Sequence, residues 1–173
     1  VSQCHNEGQI SGSEQIFGGI SGSTMETARI EKSDNSGRII GRSNNGGLVG
    51  SNRGTIIQSY NTGIVNGNMT FGGIAAWNYG TIQSCYHIGT LVSDGLKEDI
   101  RAGGIAGINL SEIRDCYVSG RFEMENALGN GQVGGIVGNT TYQFLGADDG
   151  SGTAYTSKEE YCYYNQDLIQ KEP

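Results

Sequence analysis

The string Gly-Gly-aliphatic occurs five times in this chain, as Gly18-Gly19-Ile20, Gly46-Gly47-Leu48, Gly72-Gly73-Ile74, Gly103-Gly104-Ile105 and Gly134-Gly135-Ile136. The intervals are 28, 26, 31 and 31 residues, and a small residue follows two places on each time: Gly22, Gly50, Ala76, Gly107 and Gly138. A chain that repeats itself at this length builds an array of like units, each burying its apolar face on the next. A single closed core does not need such a pattern.

A second string keeps phase with the first. Ile56-Ile57-Gln58-Ser59-Tyr60 leads to Gly63-Ile64-Val65, Ile82-Gln83-Ser84-Cys85-Tyr86 to Gly89-Thr90-Leu91, and Ile113-Arg114-Asp115-Cys116-Tyr117 to Gly120-Arg121-Phe122. Degenerate copies run from Ile30 to Ile39 and from Val1 to Ile10. The chain therefore starts inside a repeat, as expected of a piece of a longer protein whose targeting signal lies elsewhere.

Three columns emerge. One is aliphatic (Val1, Ile30, Ile56, Ile82, Ile113), one small (Cys4, Ser33, Ser59, Cys85, Cys116) and one large and apolar (Ile10, Ile39, Val65, Leu91, Phe122). Alternation fails between the first two, where residues such as Gln58 and Asp115 stand, so a bend or bulge is expected there. The glycines at 8, 37, 63, 89 and 120 mark a corner that needs either φ > 0 or close backbone approach. Each repeat thus holds three short strands with no crossover helix to join them. Coiling solves the connection: every strand pairs with its copy one turn on, at about 4.8 Å. The expected fold is all-β, a parallel β-solenoid (β-helix) of about five coils, right-handed by the general preference of parallel crossovers.

Composition agrees. Hydrophobic residues make up 35% and charged residues 17%. The first is low for one compact core, and the second is too low for charge-driven disorder. A narrow interior column accounts for both. The net charge of -7 disfavours nucleic acid and anionic membranes as partners. No apolar run is long enough to predict membrane insertion. The repeats assign residues 1–139 to the solenoid and 140–173 to an irregular C-terminal loop or cap, with Cys162-Tyr163 as a last copy of the Cys-Tyr pair. Two repeats carry insertions at the same phase, Ser93–Ala102 and Glu123–Gln132, which predicts loops on one side.

The string Gly46-Gly47-Leu48-Val49-Gly50 with Asn52 and Gly54, then Ser59-Tyr60-Asn61 and Gly63, resembles the GLUG repeat, and the likeness extends to about Gly138. Ala75-Ala76 and Trp77 depart from that pattern. The resemblance implies a β-solenoid in a secreted bacterial cell-surface protein, such as an adhesin or the repeat region of an IgA-peptidase-type protein. It implies no catalytic residues.

Other motifs fail their context tests. Gly129 to Gly134 spells G-x-G-x-x-G, but its last glycine belongs to the repeat, so no dinucleotide cofactor is expected. His5 and His87 fall in neighbouring columns and read as surface or ladder residues, not as a metal site. Asp94, Glu98 and Asp99 in one loop and Asp148-Asp149 in another read as solvated charges, with a weak Ca²⁺ site as the minor alternative. Asn52, Asn78 and Asn109 read as a ladder bonding corner carbonyls. The N-x-S/T strings at Asn68, Asn109 and Asn139 read as incidental.

The expected function is a non-catalytic structural or adhesive module, extracellular or on the bacterial surface, whose partner is a host or matrix protein or a glycan. The alternatives are a carbohydrate-active β-helix enzyme, which would need convergent carboxylates, and a self-assembling subunit associating end to end. Tyr60, Tyr86 and Tyr117 each follow an inward small residue, so they are expected to point outward as a ligand face walled by the two insertions. Cys85 and Cys116 stand on successive coils, close enough for a disulfide. The competing reading is two buried thiols, favoured because Ser33 and Ser59 fill the same column without a bridge.

Overall fold

A computed structural model describes residues 1–13, 15–93, 100–124, 131–140 and 157–165. Among them every regular element is a strand, and every pairing between strands is parallel. The chain is a β-solenoid.

The turn from residue 29 to residue 52 shows the unit: Arg29–Glu31, Asp34–Asn35, Arg38–Ile40, Asn44–Gly46 and Val49–Asn52. Each pairs with its counterpart one repeat on, so the turns stack into five parallel sheets. Four sheets hold five strands and the second holds six. The three strands expected from the columns are the first three of this turn. The stretch around Gly-Gly is extended as well, and supplies the fourth and fifth ladders that the columns did not mark.

Register follows the columns residue for residue. Ile56 lies between Ile30 and Ile82, and Ile82 pairs on with Ile113. Ile30 is 2% exposed and Ile56, Ile82 and Ile113 are 0% exposed, so this column is the core. Ile39, Val65 and Leu91 form a second fully buried stack, and Leu48, Ile74 and Ile105 of the Gly-Gly strings a third. Because each turn covers the next, a few side chains per turn suffice to exclude water.

The bend between the first and second strands is sharp. Lys32, Gln58, Ser84 and Asp115 have φ of 48°, 50°, 52° and 55°, with Gln3 and Tyr161 alike at the ends. Left-handed backbone costs a non-glycine residue roughly 1–2 kcal/mol. The cost recurs at each turn because the bend points the residues on both sides inward, Ile56 and Ser59 for example.

At the next corner the glycines serve close approach. A Cβ on Gly63 would collide with the carbonyl oxygen of Gly37, and one on Gly89 with that of Gly63. The second glycine of each Gly-Gly pair makes room for a side chain instead: Asn61 lies against Gly47, His87 against Gly73 and Val118 against Gly104.

The C-terminal copy belongs to the solenoid. Lys158–Glu160 pairs with Glu112–Arg114, and Tyr163–Tyr164 with Tyr117–Val118, so Cys162 stands over Cys116. Within the 140–173 segment, residues 141–156 and 166–173 lie outside the described residues. In sequence the insertions fall between a strand of the third sheet and one of the fourth. Their strand-forming ends, Ser93, Arg101, Glu123 and Gln132, remain in the ladders, and residues 94–99 and 125–130 lie outside the described residues.

Candidate functional site

The second sheet consists of two-residue strands, each with one side chain out and one in. Its outward column is His5, Asp34, Tyr60, Tyr86, Tyr117 and Tyr163. The three expected tyrosines therefore share one face, and Tyr163 extends it. Exposure rises along the column: Tyr60 is half-buried, while Tyr86, Tyr117 and Tyr163 are 37%, 46% and 67% exposed. The Tyr60 and Tyr86 rings are parallel within 2°, with centroids 4.7 Å apart. Stacking along the solenoid axis turns the ring faces toward each other and leaves edges and hydroxyls outward. Burial, then the Asp34 carboxylate, raises the Tyr60 phenol above its usual pKa, so it stays a hydrogen-bond donor. Of the two insertions expected to wall this face, the described ends, Ser93 with Arg101 and Glu123 with Gln132, lie in strands of the third and fourth sheets, and residues 94–99 and 125–130 lie outside the described residues.

At the N-terminal end of this column His5 bonds the carboxylates of Asp34 and Glu7. Those bonds, Glu7 first, raise its pKa.

The inward column behind the tyrosines is an amide ladder that the sequence reading missed. Asn6 Nδ2 donates to Asn35 Oδ1 at 2.6 Å, and Asn35 Nδ2 to Asn61 Oδ1 at 2.8 Å. Asn61 Nδ2 then meets His87 Nδ1 at 3.1 Å. The ladder stops there, because Val118 follows, and the buried His87 Nε2 has no partner. Burial pushes the His87 pKa from 6.5 down to about 4. The signal was present in the Asn35, Asn61, His87 alignment one place after the Tyr column.

The expected asparagine ladder is present on the fifth sheet and longer than the three residues marked. Thr24 Oγ1 donates to Asn52 Oδ1 at 2.8 Å, Asn52 to Asn78 at 2.8 Å, Asn78 to Asn109 at 2.7 Å, and Asn109 to the Glu159 carboxylate at 2.7 Å. Each amide also bonds its own corner, as Asn52 does with Gly54 through both N–H and C=O. Asn139, by contrast, pairs in register with Ile108 and not with Asn109. Gly134 ends a strand rather than opening a helix.

Cys85, Cys116 and Cys162 occupy the same inward position on three turns, and all four cysteines are free thiols. A second aromatic group was not anticipated. Trp77 stacks on Tyr79 at 5.8 Å, Arg53 lies 5.6 Å over the Tyr79 ring, and Trp77 Nε1 donates to Asn44 Oδ1 at 2.9 Å. Among the described residues no group of three metal-ligating side chains converges. The acids considered for Ca²⁺, Asp94, Glu98, Asp99, Asp148 and Asp149, lie outside the described residues. No family model, curated protein or solved structure matches the chain.

Proposed function

We propose that this solenoid is a non-catalytic binding module of the GLUG-repeat kind from a secreted bacterial cell-surface protein. In this reading it meets a host or matrix protein, or a glycan, through the tyrosine column. The observation that carries the reading is the register of Tyr60, Tyr86, Tyr117 and Tyr163 on one face. Tyrosine offers a large contact area with a polar tip at low entropic cost, and the solenoid fixes its position. Since Tyr60 and Tyr86 cover each other's faces, the partner is recognised there through hydroxyls and ring edges, not by stacking on a platform. Tyr117 and Tyr163, more exposed, provide the wider apolar contact.

The test is a glycan and matrix-protein binding array with the full chain, a polysaccharide-degradation assay beside it, and then the Tyr86→Ala, Tyr117→Ala double variant. A folded variant that loses binding supports the reading. Unchanged affinity for an identified ligand refutes it, and released oligosaccharide would favour the enzyme alternative. For end-to-end assembly, Glu159 is an obstacle. It pairs in register with Ile113 and puts a carboxylate where a further stacked turn would need an apolar side chain. Sedimentation of concentrated protein separates the two.

A further inference from the structure

The column that holds the thiols has a fixed hydrogen-bond pattern. In the earlier turns the Ser33 and Ser59 hydroxyls donate to the carbonyls of Glu31 and Ile57 at 2.8 Å, two residues back. They also accept the N–H of the preceding turn, from Cys4 and Ser33, at 3.1 Å. Cys85, Cys116 and Cys162 keep the first of these bonds, to Gln83, Arg114 and Glu160, each at 3.2 Å. The three sulfurs are therefore stacked, and Cys116 has a thiol neighbour on each side. A bridge can use only one of them.

Geometry and access select between the two pairs. In-register parallel strands place their Cα atoms about 4.8 Å apart, inside the range of roughly 4.4–6.8 Å that a disulfide spans. Their Cβ atoms are separated by a similar distance, a little more than the ~3.8 Å a disulfide prefers, so one strand must shift inward. The strands beside Cys85 and Cys116 are each paired on both sides and cannot shift freely. Among the described residues Tyr163–Tyr164, next to Cys162, is an edge strand of two residues paired with Tyr117–Val118 on one side alone. Cys85 and Cys116 are each 1% exposed, whereas Cys162 is only half-buried, so an oxidant reaches it first.

We propose that Cys116 and Cys162 form a disulfide that fastens the last turn to the solenoid, with Cys85 remaining a thiol. With a low-molecular-weight disulfide as oxidant, the Cys162 thiolate attacks one of its sulfurs and expels a thiolate, which takes up a proton. The Cys116 thiolate then attacks Cys162 Sγ and expels the second. The protein loses two electrons and two protons, and the oxidant becomes two thiols. The hydrogen bond from Cys162 lowers the Cys116 pKa, but Cys85 and burial outweigh it and push the thiol up to about 12. Cys162 is raised too, by its bond with Cys116 and then by burial. Thiolate is scarce at neutral pH, so closure is slow.

The full folded chain is equilibrated with oxidised glutathione at mildly alkaline pH, alkylated under denaturing conditions without reductant, digested and mapped by mass spectrometry. A linked Cys116–Cys162 peptide with Cys4 and Cys85 alkylated is expected, in wild type and in Cys85→Ser alike. Cys162→Ser, which places serine where Ser33 and Ser59 already stand, should leave its three thiols open. A Cys85–Cys116 link in wild type, a glutathione adduct persisting on Cys162, or four alkylated thiols at equilibrium overturns the proposal. The outcome does not depend on which ligand, if any, the tyrosines bind.

Discussion

Between pH 6.5 and about 4, acidification should loosen this solenoid chiefly through His87. The imidazole is fully buried between turns, and the groups against it (Asn61, Gly73, Val118 and Gly120) carry no charge. Its pKa falls from 6.5 to about 4 because burial penalises the imidazolium. A folded-state pKa below the unfolded value means that the unfolded chain binds the proton more readily. Stability is then full above pH 6.5 and is lost as pH falls toward 4. At ~1.4 kcal/mol per pH unit, this window is worth about 3 kcal/mol. That is a large share of the ~5–15 kcal/mol that holds a domain together. Urea unfolding followed by circular dichroism, at a series of pH values across the window, measures it. His87→Asn supplies the control. Asparagine would continue the ladder, and its Nδ2 can bond the Gly89 carbonyl as Asn35 Nδ2 bonds that of Gly37 at 3.2 Å. The variant should stay within about 1 kcal/mol of wild type at neutral pH, since losing the orphaned Nε2 offsets the smaller side chain. Its stability should vary much less between pH 6.5 and 4. His5, whose pKa is raised, contributes stability that is present below 6.5 and lost as pH rises beyond it, so it acts outside this window. A wild-type profile as flat as that of the variant, or an NMR titration of His87 near 6.5, would refute the reasoning.

Two further substitutions probe the packing. Ile82→Ala, at the centre of the isoleucine stack and 0% exposed, should cost about 2–5 kcal/mol in the same unfolding assay; a loss below about 1 kcal/mol would mean the column is not the core. Gly89→Ala adds a Cβ that collides with the Gly63 carbonyl oxygen, where no flexible side chain can yield. It should cost more than ~2 kcal/mol or prevent folding, and a variant as stable as wild type would show that the turns are not packed this closely.

Much of the architecture was legible because the repeat makes each position visible several times over. One isoleucine says little; Ile30, Ile56, Ile82 and Ile113 at one phase say that the position is buried and stacked. The same redundancy exposed the tyrosine face, the asparagine ladder and a bend or bulge between the first two strands, though not that the bend is made by left-handed backbone at residues such as Gln58. The fourth and fifth strands were harder to see, since Gly-rich segments such as Asn44–Gly46 and Val49–Asn52 lack a β-branched alternation. The second ladder was missed because its members change type, from Asn61 to His87 to Val118, and a column that does not keep its chemistry is not recognised as one.

The sequence by itself determined the period, the buried columns of the first and third strands and the outward tyrosines of the second, and hence the solenoid, because in-register stacking of like units is how a column this narrow is buried. Tertiary structure decided what depends on neighbours along the axis. The corner glycines could have served either left-handed backbone or close approach, and only the position of Gly37 beneath Gly63 chooses between them. Whether a tyrosine offers its face or its edge depends on the ring one turn away, as Tyr86 does for Tyr60. Whether His87 Nε2 finds a partner depends on the valine above it: a polar side chain at position 118 would have offered one. These are contacts between residues about 30 positions apart in the chain, and their chemistry is set by distance and orientation, which a periodic pattern does not encode.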